Sequence, residues 1–173
     1  PCRLMSSPCV SKDRIASLNV ERDTPICLAR SGSVGNFSPG VALVIISPND
    51  PLAMDKQVAE CKELGFPYLY DPGQQVVRVS GEEIRNGVEG AASLFVNEYE
   101  YELLQKHTGL SPSDILERVG YLVVTLGAEG ADIYADGRIV HVPAVEPELI
   151  LDPTGVGDAF RAGFVRGRSL GLD

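Results

Sequence analysis

The segment of this sequence best suited to chemistry lies near its end. A helix that starts after two closely spaced glycines leaves backbone N–H groups open to an anion. A carboxylate beside that anion can accept the proton of a hydroxyl that attacks a phosphoryl group. We therefore predict phosphoryl transfer, with Asp158 as the base and the N–H groups of Gly155, Val156 and Gly157 as the anion hole. The segment reads Asp152-Pro153-Thr154-Gly155-Val156-Gly157-Asp158.

A plain helix start is the alternative for this segment. Glycine permits a tight turn there, and an aspartate in the first turn favours the helix dipole. Seven positions in one pattern are much rarer than a lone Gly-x-Gly, which favours the chemical interpretation. The small residues Ala159, Gly163 and Gly167, spaced by four, predict a packing edge of the same helix.

Strands and helices alternate along the chain from residue 41 onward. The aliphatic run 41–46 is typical of a strand buried on both faces. Short turns between the elements predict an α/β fold with a doubly wound, mostly parallel sheet and helices on both faces. The predicted strands are 41–46, 66–70, 93–96 and 121–126, with a hairpin over 133–140; the predicted helices are 52–64, 82–88, 98–107, 111–119 and 157–170.

The carboxyl ends of these strands are the expected ligand site. Ligands of open α/β sheets gather at that edge. Polar or glycine-rich residues follow three of the predicted strands, at 71–75, at Asn97 and at 125–127. Residues 1–39 show no sustained apolar period and stay unassigned, whereas 40–173 form one domain.

Composition narrows the classes of partner. The 15 Lys and Arg stand against 24 Asp and Glu, a net charge of −9, so no basic stripe can follow a nucleic-acid backbone. No run is long enough to span a bilayer and no leader is evident, which predicts no membrane association and a cytoplasmic location. The four cysteines lack Cys-x-x-Cys spacing, so no zinc site is expected; reduced thiols are favoured, although a disulfide within the first thirty residues stays open.

At residues 152–158 the sequence resembles the PfkB, or ribokinase-like, kinases, whose signature there is Asp-x-Thr-Gly-x-Gly-Asp. Two further motifs follow the family's order: Asn97-x-x-Glu100, and Thr125-x-Gly127-x-x-Gly130. The resemblance implies a ribokinase-like fold over the stretch from residue 41 to the end. It also implies ATP-dependent transfer of phosphate to a hydroxymethyl group of a sugar or nucleoside.

The resemblance also assigns roles to individual residues. Those implied to contact the nucleotide are Asn97, Thr125, Gly127 and Gly130. Glu100 is implied to act on Mg²⁺ through water, and Asp152 and Thr154 match positions that offer oxygens to K⁺ in cation-activated members. The alternatives are a solvated acidic helix face for Glu100 and a simple turn for Gly130.

The loop Asp71-Pro72-Gly73-Gln74-Gln75 is most similar to the bacterial adenosine-kinase-like branch, in which it lies near the phosphate acceptor. A turn is the alternative. The family's acceptor-binding Asp, Gly-Gly element and β-lid are not evident in 1–39, which predicts a C-terminal fragment without a lid domain. A nucleotide-binding remnant without catalysis therefore stays open, as does a homodimer, because the lid often forms that contact.

Two other nucleotide-binding classes fit the sequence less well: a Rossmann dehydrogenase is a poorer third choice, and a P-loop protein is excluded. A dinucleotide-binding Gly-x-Gly-x-x-Gly would require a third glycine where Phe160 stands, and it opens the first helix of its fold instead of the last. A P-loop is excluded because no Gly-x-x-x-x-Gly-Lys-Ser/Thr occurs in the sequence.

Overall fold

The computed structural model of the chain describes residues 26–29, 43–147 and 154–171. Within these ranges, seven strands form one sheet whose spatial order follows the sequence. The strands are β1 Ile26–Ala29, β2 Leu43–Ile46, β3 Tyr68–Tyr70, β4 Ser93–Asn97, β5 Tyr121–Thr125, β6 Ala131–Ala135 and β7 Arg138–Val142. Neighbours from β1 to β5 are parallel, and β6 and β7 are antiparallel additions at one edge.

Five α-helices connect or cover these strands in the described residues. They are α1 Pro51–Leu64, α2 Gly81–Val88, α3 Glu98–Thr108, α4 Pro112–Arg118 and α5 Val156–Ser169. Local chemistry sets several of their starts: Asp50 caps α1, and Ser80 and Ser111 form capping boxes at α2 and α4. Short 3₁₀ turns at Gly73–Val77 and Gly127–Glu129 follow β3 and β5.

Alternate residues of the central strands enter two separate cores. One core packs α1, α2, α3 and α4 against one face of the sheet, and the other packs α5 against the opposite face. In β4, for example, Leu94 and Val96 belong to the first core and Phe95 belongs to the second. The predicted α/β fold, with a mostly parallel sheet and helices on both faces, is confirmed.

The strand order adds a detail that the sequence pattern does not contain. In the described part of the chain it runs from β1 to β7 without a reversal. The four helices that lie between successive strands therefore share one face, and the second face is covered by α5, which follows the β6–β7 hairpin. The hairpin turns at Asp136 and Gly137 as predicted.

Cys61 is a free thiol buried in α1. Burial, with a smaller contribution from Glu60, raises the pKa of Cys61 to about 12, so the residue remains an uncharged core thiol near neutral pH. This agrees with the predicted reduced state for Cys61; the side chains of Cys2, Cys9 and Cys27 lie outside the described part. Within 43–147 and 154–171, no helix is long and apolar enough to cross a bilayer.

We expect Gly87→Ala to destabilise the protein. A Cβ at this position of α2 would lie 2.3, 2.6 and 2.7 Å from three ring atoms of Tyr70, which is buried in the core. Overpacking of this kind costs about 1–3 kcal/mol. The midpoint of thermal unfolding, followed by circular dichroism, should therefore fall.

Gly167→Ala is the matched control for that substitution. Gly167 also lies in the last turn of a helix, but no described atom is within 4 Å of its added Cβ. An unchanged or raised midpoint is expected for this variant. Equal midpoints for the Gly87 and Gly167 variants would contradict the packing of α2 on Tyr70.

Candidate active site

A cleft of about 880 Å³ opens at the carboxyl ends of the parallel strands, facing the start of α5. Its volume falls within the roughly 300–1,000 Å³ of small-molecule sites. This is the edge at which open α/β sheets bind ligands. The predicted site residues that border the cleft are Asn97, Glu100, Thr125, Gly155, Gly157 and Asp158, and Asp71, Gly73 and Gln74 of the 71–75 loop border it too.

The first turn of α5 presents uncapped backbone to this cleft. Gly155 is the N-cap, with a left-handed φ of 82° and no side-chain cap. The first N–H groups of a helix have no acceptor within the helix, so those of Val156 and Gly157 can serve an anion. No described atom lies within 4 Å of a Cβ built on Gly155 or Gly157, so the backbone is accessible. Val156 is exposed, and only its N–H group is suited to the predicted anion hole.

Asp158 lies at the third position of α5, where the helix dipole favours a carboxylate. Its side chain is 75% exposed and borders the cleft, so a ligand can reach it. One of its oxygens, Oδ1, accepts a hydrogen bond from the guanidinium of Arg161, one turn along the helix. The predicted base is therefore accessible and is held on one side by a cation.

Arg161 is the residue of the cleft that sequence reasoning missed. Its guanidinium bridges two carboxylates, bonding Asp71 through Nη1 and Asp158 through Nη2. Arg161 and Asp71 are both buried, at 9% and 6% exposure. Burial lowers the pKa of Arg161 from its ordinary value, yet an arginine in a protein stays protonated. The i, i+3 spacing from Asp158 was the only available signal.

Asn97 and Glu100 bond each other across the start of α3. The Asn97 side chain accepts from the Glu100 N–H at 2.8 Å, and Glu100 Oε2 accepts from the Asn97 N–H at 2.9 Å. This capping box accounts for the spacing of the motif. Both residues also line the cleft, whereas Glu98 and Glu102 of the same helix lie outside the cleft lining.

Thr125 enters the cleft from the neighbouring strand. The register of β4 and β5 pairs Asn97 with Thr125, so the two polar side chains that end these strands lie side by side. Gly127 and Gly130 belong to the turn that follows and do not border the cleft. A Cβ on Gly130 would lie 2.0 Å from the Val142 carbonyl oxygen, so the close approach of β7 explains this glycine. Nucleotide contact by these two glycines stays a prediction.

Asp152 and Thr154 are the residues predicted to offer oxygens to K⁺. Asp152 lies outside the described residues, and Thr154 is exposed directly before Gly155. Among the described residues, no three Asp, Glu, His or Cys side chains gather as a metal cage. Mg²⁺ is usually bound by one or two carboxylates together with phosphates and water. Glu100, a carboxylate at the cleft wall, fits that mode of binding.

Comparison with known proteins extends these observations. A 36% identical relative, over 104 residues, is the nucleoside kinase of Methanocaldococcus jannaschii; the match covers 60% of this chain and 34% of that protein. The ribokinase of Lactococcus lactis is 30% identical over 133 residues, which are 75% of this chain and 41% of that one. The chain thus spans well under half the length of these relatives.

A solved structure resembles the fold closely. The nucleoside kinase of Burkholderia thailandensis in complex with inosine superposes with a TM-score of 0.76 at 36% identity, over 79% of this chain and 46% of that one. The ribokinase-like architecture is confirmed by this likeness. The model of the pfkB family carbohydrate kinases matches residues 31–173. With its signature at the start of α5 and its cleft at the strand ends, the chain belongs to the pfkB family of carbohydrate kinases.

Proposed function

We propose that the protein carrying this chain transfers the γ-phosphate of ATP to a hydroxymethyl group of a nucleoside. One observation carries the proposal: the accessible carboxylate of Asp158 stands beside the uncapped first turn of α5, at a cleft shared with Thr125 and Glu100. A nucleoside acceptor is supported by the similarity to nucleoside kinases, one of them solved with inosine.

The chemistry follows from these groups. The acceptor hydroxyl donates its hydrogen bond to Asp158, its oxygen attacks the γ-phosphorus, and its proton passes to the carboxylate. The bond between the γ-phosphorus and the bridging oxygen breaks, and ADP leaves. The N–H groups of residues 155–157 stabilise the charge on the transferring oxygens. Asn97 and Thr125 hold the nucleotide, and Gly127 and Gly130 lie close enough in sequence to extend that contact.

Glu100 is the residue proposed to bind magnesium. Glu100 would hold it through its water shell, and the ion would supply neutralisation of the phosphate charge. Thr154, with Asp152, would offer oxygens to K⁺. Every other task belongs to residues of the chain itself.

A sugar acceptor is the second candidate, because the L. lactis ribokinase match covers more of this chain than the nucleoside kinase match does. A preference for adenosine rests on the 71–75 loop alone. Initial rates with adenosine, inosine, cytidine and ribose at equal concentrations would order these acceptors.

Asp158→Asn should abolish most of the turnover. The amide keeps the size of the side chain and an oxygen for Arg161, but it cannot accept a proton. We expect kcat to fall by about 10²–10⁴-fold, the usual contribution of a general base, with the Kd for Mg·ATP within about twofold. A coupled ADP-release assay and calorimetry on the full-length protein measure the two quantities.

Glu102→Gln is the control for Asp158→Asn. It also removes one negative charge, from an exposed position of α3 outside the cleft, and it should retain parental kcat. An Asp158 variant that keeps more than half of parental kcat would rule out its role as base. If the unsubstituted protein binds Mg·ATP but shows no turnover, the result would instead support the alternative of a nucleotide-binding protein without catalysis.

Gly157→Ala should stabilise the fold while it impairs the reaction. Ala is about 0.5–1 kcal/mol more favourable than Gly within a helix, and the added Cβ meets no described atom. That methyl group would occupy the space through which a phosphate approaches the backbone. We expect a higher unfolding midpoint and a fall in kcat/KM for ATP on the order of 10²-fold, as for a 1 Å displacement of a reacting group.

Gly163→Ala separates the two effects. Gly163 is exposed on the same helix, with equally open space around its added Cβ, but it lies outside the cleft lining. It should gain stability and keep its activity. If both variants keep parental kcat/KM, phosphate does not approach the start of α5.

Glu100→Gln tests the magnesium role without loss of the helix cap. Glutamine also completes a capping box, so the unfolding midpoint should stay within about 2 °C of the parental value, as expected for surface changes within ±0.5 kcal/mol. The Mg²⁺ concentration for half-maximal rate should rise on the order of 10-fold. Glu98→Gln, on the same turn but outside the cleft, is the control; equal magnesium dependence in the two variants would refute the assignment.

A further inference from the structure

One guanidinium joins the start of α5 to the end of β3. Arg161 bonds Asp71 and Asp158 at once, although these residues are far apart in sequence. We propose that Arg161 is a positioning residue, which fixes the carboxylate of Asp158 relative to the sheet by way of Asp71. The inference rests on the proposed function, because it gives Asp158 a task that needs a fixed orientation.

Asp71 is the immobile end of this bridge. It follows β3 directly, and its backbone N–H donates to the Ile46 carbonyl at 2.9 Å, which ties it to β2. Two residues later the chain packs so closely that a Cβ on Gly73 would lie 2.2 Å from Pro48 Cγ. With its side chain also buried, Asp71 offers Arg161 an anchor that cannot shift without disturbing two strands.

The backbone of Arg161 is equally well held. Phe160 and Phe164, on either side of it in α5, pack edge-on against Phe95 with centroid distances of 6.2 and 5.1 Å. These aromatic contacts fix the height and rotation of α5 on the sheet. The guanidinium is a planar fork, so anchoring one edge on Asp71 sets the direction of the edge that meets Asp158.

The bond to Asp158 is not needed for charge balance. Buried Asp71 requires a cation nearby, and Arg161 supplies it. Asp158 is mostly exposed and solvated, and an exposed ion pair adds little stability. The second bond therefore serves orientation: it engages Oδ1 and leaves Oδ2 outside this ion pair. In a loose phosphoryl transfer, positioning accounts for most of the catalysis.

The first test compares the effect of substituting Arg161 on kcat with its effect on KM in the full-length protein. We expect Arg161→Gln to lower kcat by about 10–10²-fold, the effect of a misplaced reacting group, while KM for ATP stays within about twofold. Arg161→Lys should recover only part of the loss, because a single ammonium cannot hold two carboxylates as a planar fork does. Arg166→Gln, an exposed arginine of the same helix, is the matched control and should retain parental kcat.

A second variant separates positioning from folding. Arg161→Gln alone leaves Asp71 buried without its cation, which lowers stability. The double variant Asp71→Asn with Arg161→Gln replaces the ion pair by neutral amides of similar size, so its unfolding midpoint should recover while kcat stays low. Recovery of parental kcat in the double variant would overturn the proposal, as would a change confined to KM.

A crystallographic readout makes the inference independent of turnover. In the parent, the Asp158 carboxylate should occupy one orientation; in the double variant it should occupy several, over an unchanged α5 backbone. One unchanged orientation in the variant overturns the positioning role. If the parent phosphorylates neither nucleosides nor sugars, the proposed function fails, and the comparison of the two crystal structures still decides the inference.

Discussion

The packing of α5 against the sheet is the contact on which the site depends. Among the described elements, α5 covers the second face of the sheet, where Ile45, Leu69, Phe95 and Val123 form an apolar surface. The aromatic contacts of Phe95 with Phe160 and Phe164 contribute about 0.5–1.5 kcal/mol each beyond their buried area. The same contacts place the first turn of α5 at the carboxyl ends of the strands. Without them the cleft would lose one of its walls.

Parallel strands bring the remaining groups to that wall. Each strand from β2 to β5 ends at the same edge, so residues from separate parts of the chain meet there. The clearest case is the register of β4 and β5, which sets Asn97 beside Thr125. The uncapped N–H groups at the start of α5, the Asp158 carboxylate and two polar side chains then surround one volume. This convergence relates the fold to the proposed phosphoryl transfer.

Much of this arrangement could be predicted from the sequence. The central strands are short, strongly aliphatic runs, and four of the five described helices begin at Asp, Ser or Asn caps, so local chemistry determines both. The strand-end rule then places Asn97 and Thr125 at one edge. By contrast, β1 lies within the unassigned residues 1–39. It could not be predicted, because a four-residue run has too few positions to show a period.

Side-chain contacts between distant segments could not be predicted from the sequence. The ion pair of Arg161 with Asp71 joins residues that no spacing rule connects, and it depends on the exact height of α5 on the sheet. Gly130 shows a second effect of packing that the sequence does not reveal. Its sequence motif indicates nucleotide contact, whereas the approach of β7 already requires a residue without a side chain at that position. Local patterns identify candidate groups, and packing decides which of them share a cleft.

A crystal structure of the full-length protein with inosine and a non-hydrolysable ATP analogue tests the central claim most directly. The γ-phosphate should lie on the N–H groups at the start of α5. The inosine hydroxymethyl oxygen should lie within hydrogen-bonding distance, roughly 2.6–3.2 Å, of Asp158. A nucleotide bound away from the strand ends, or an acceptor hydroxyl remote from Asp158, would contradict it.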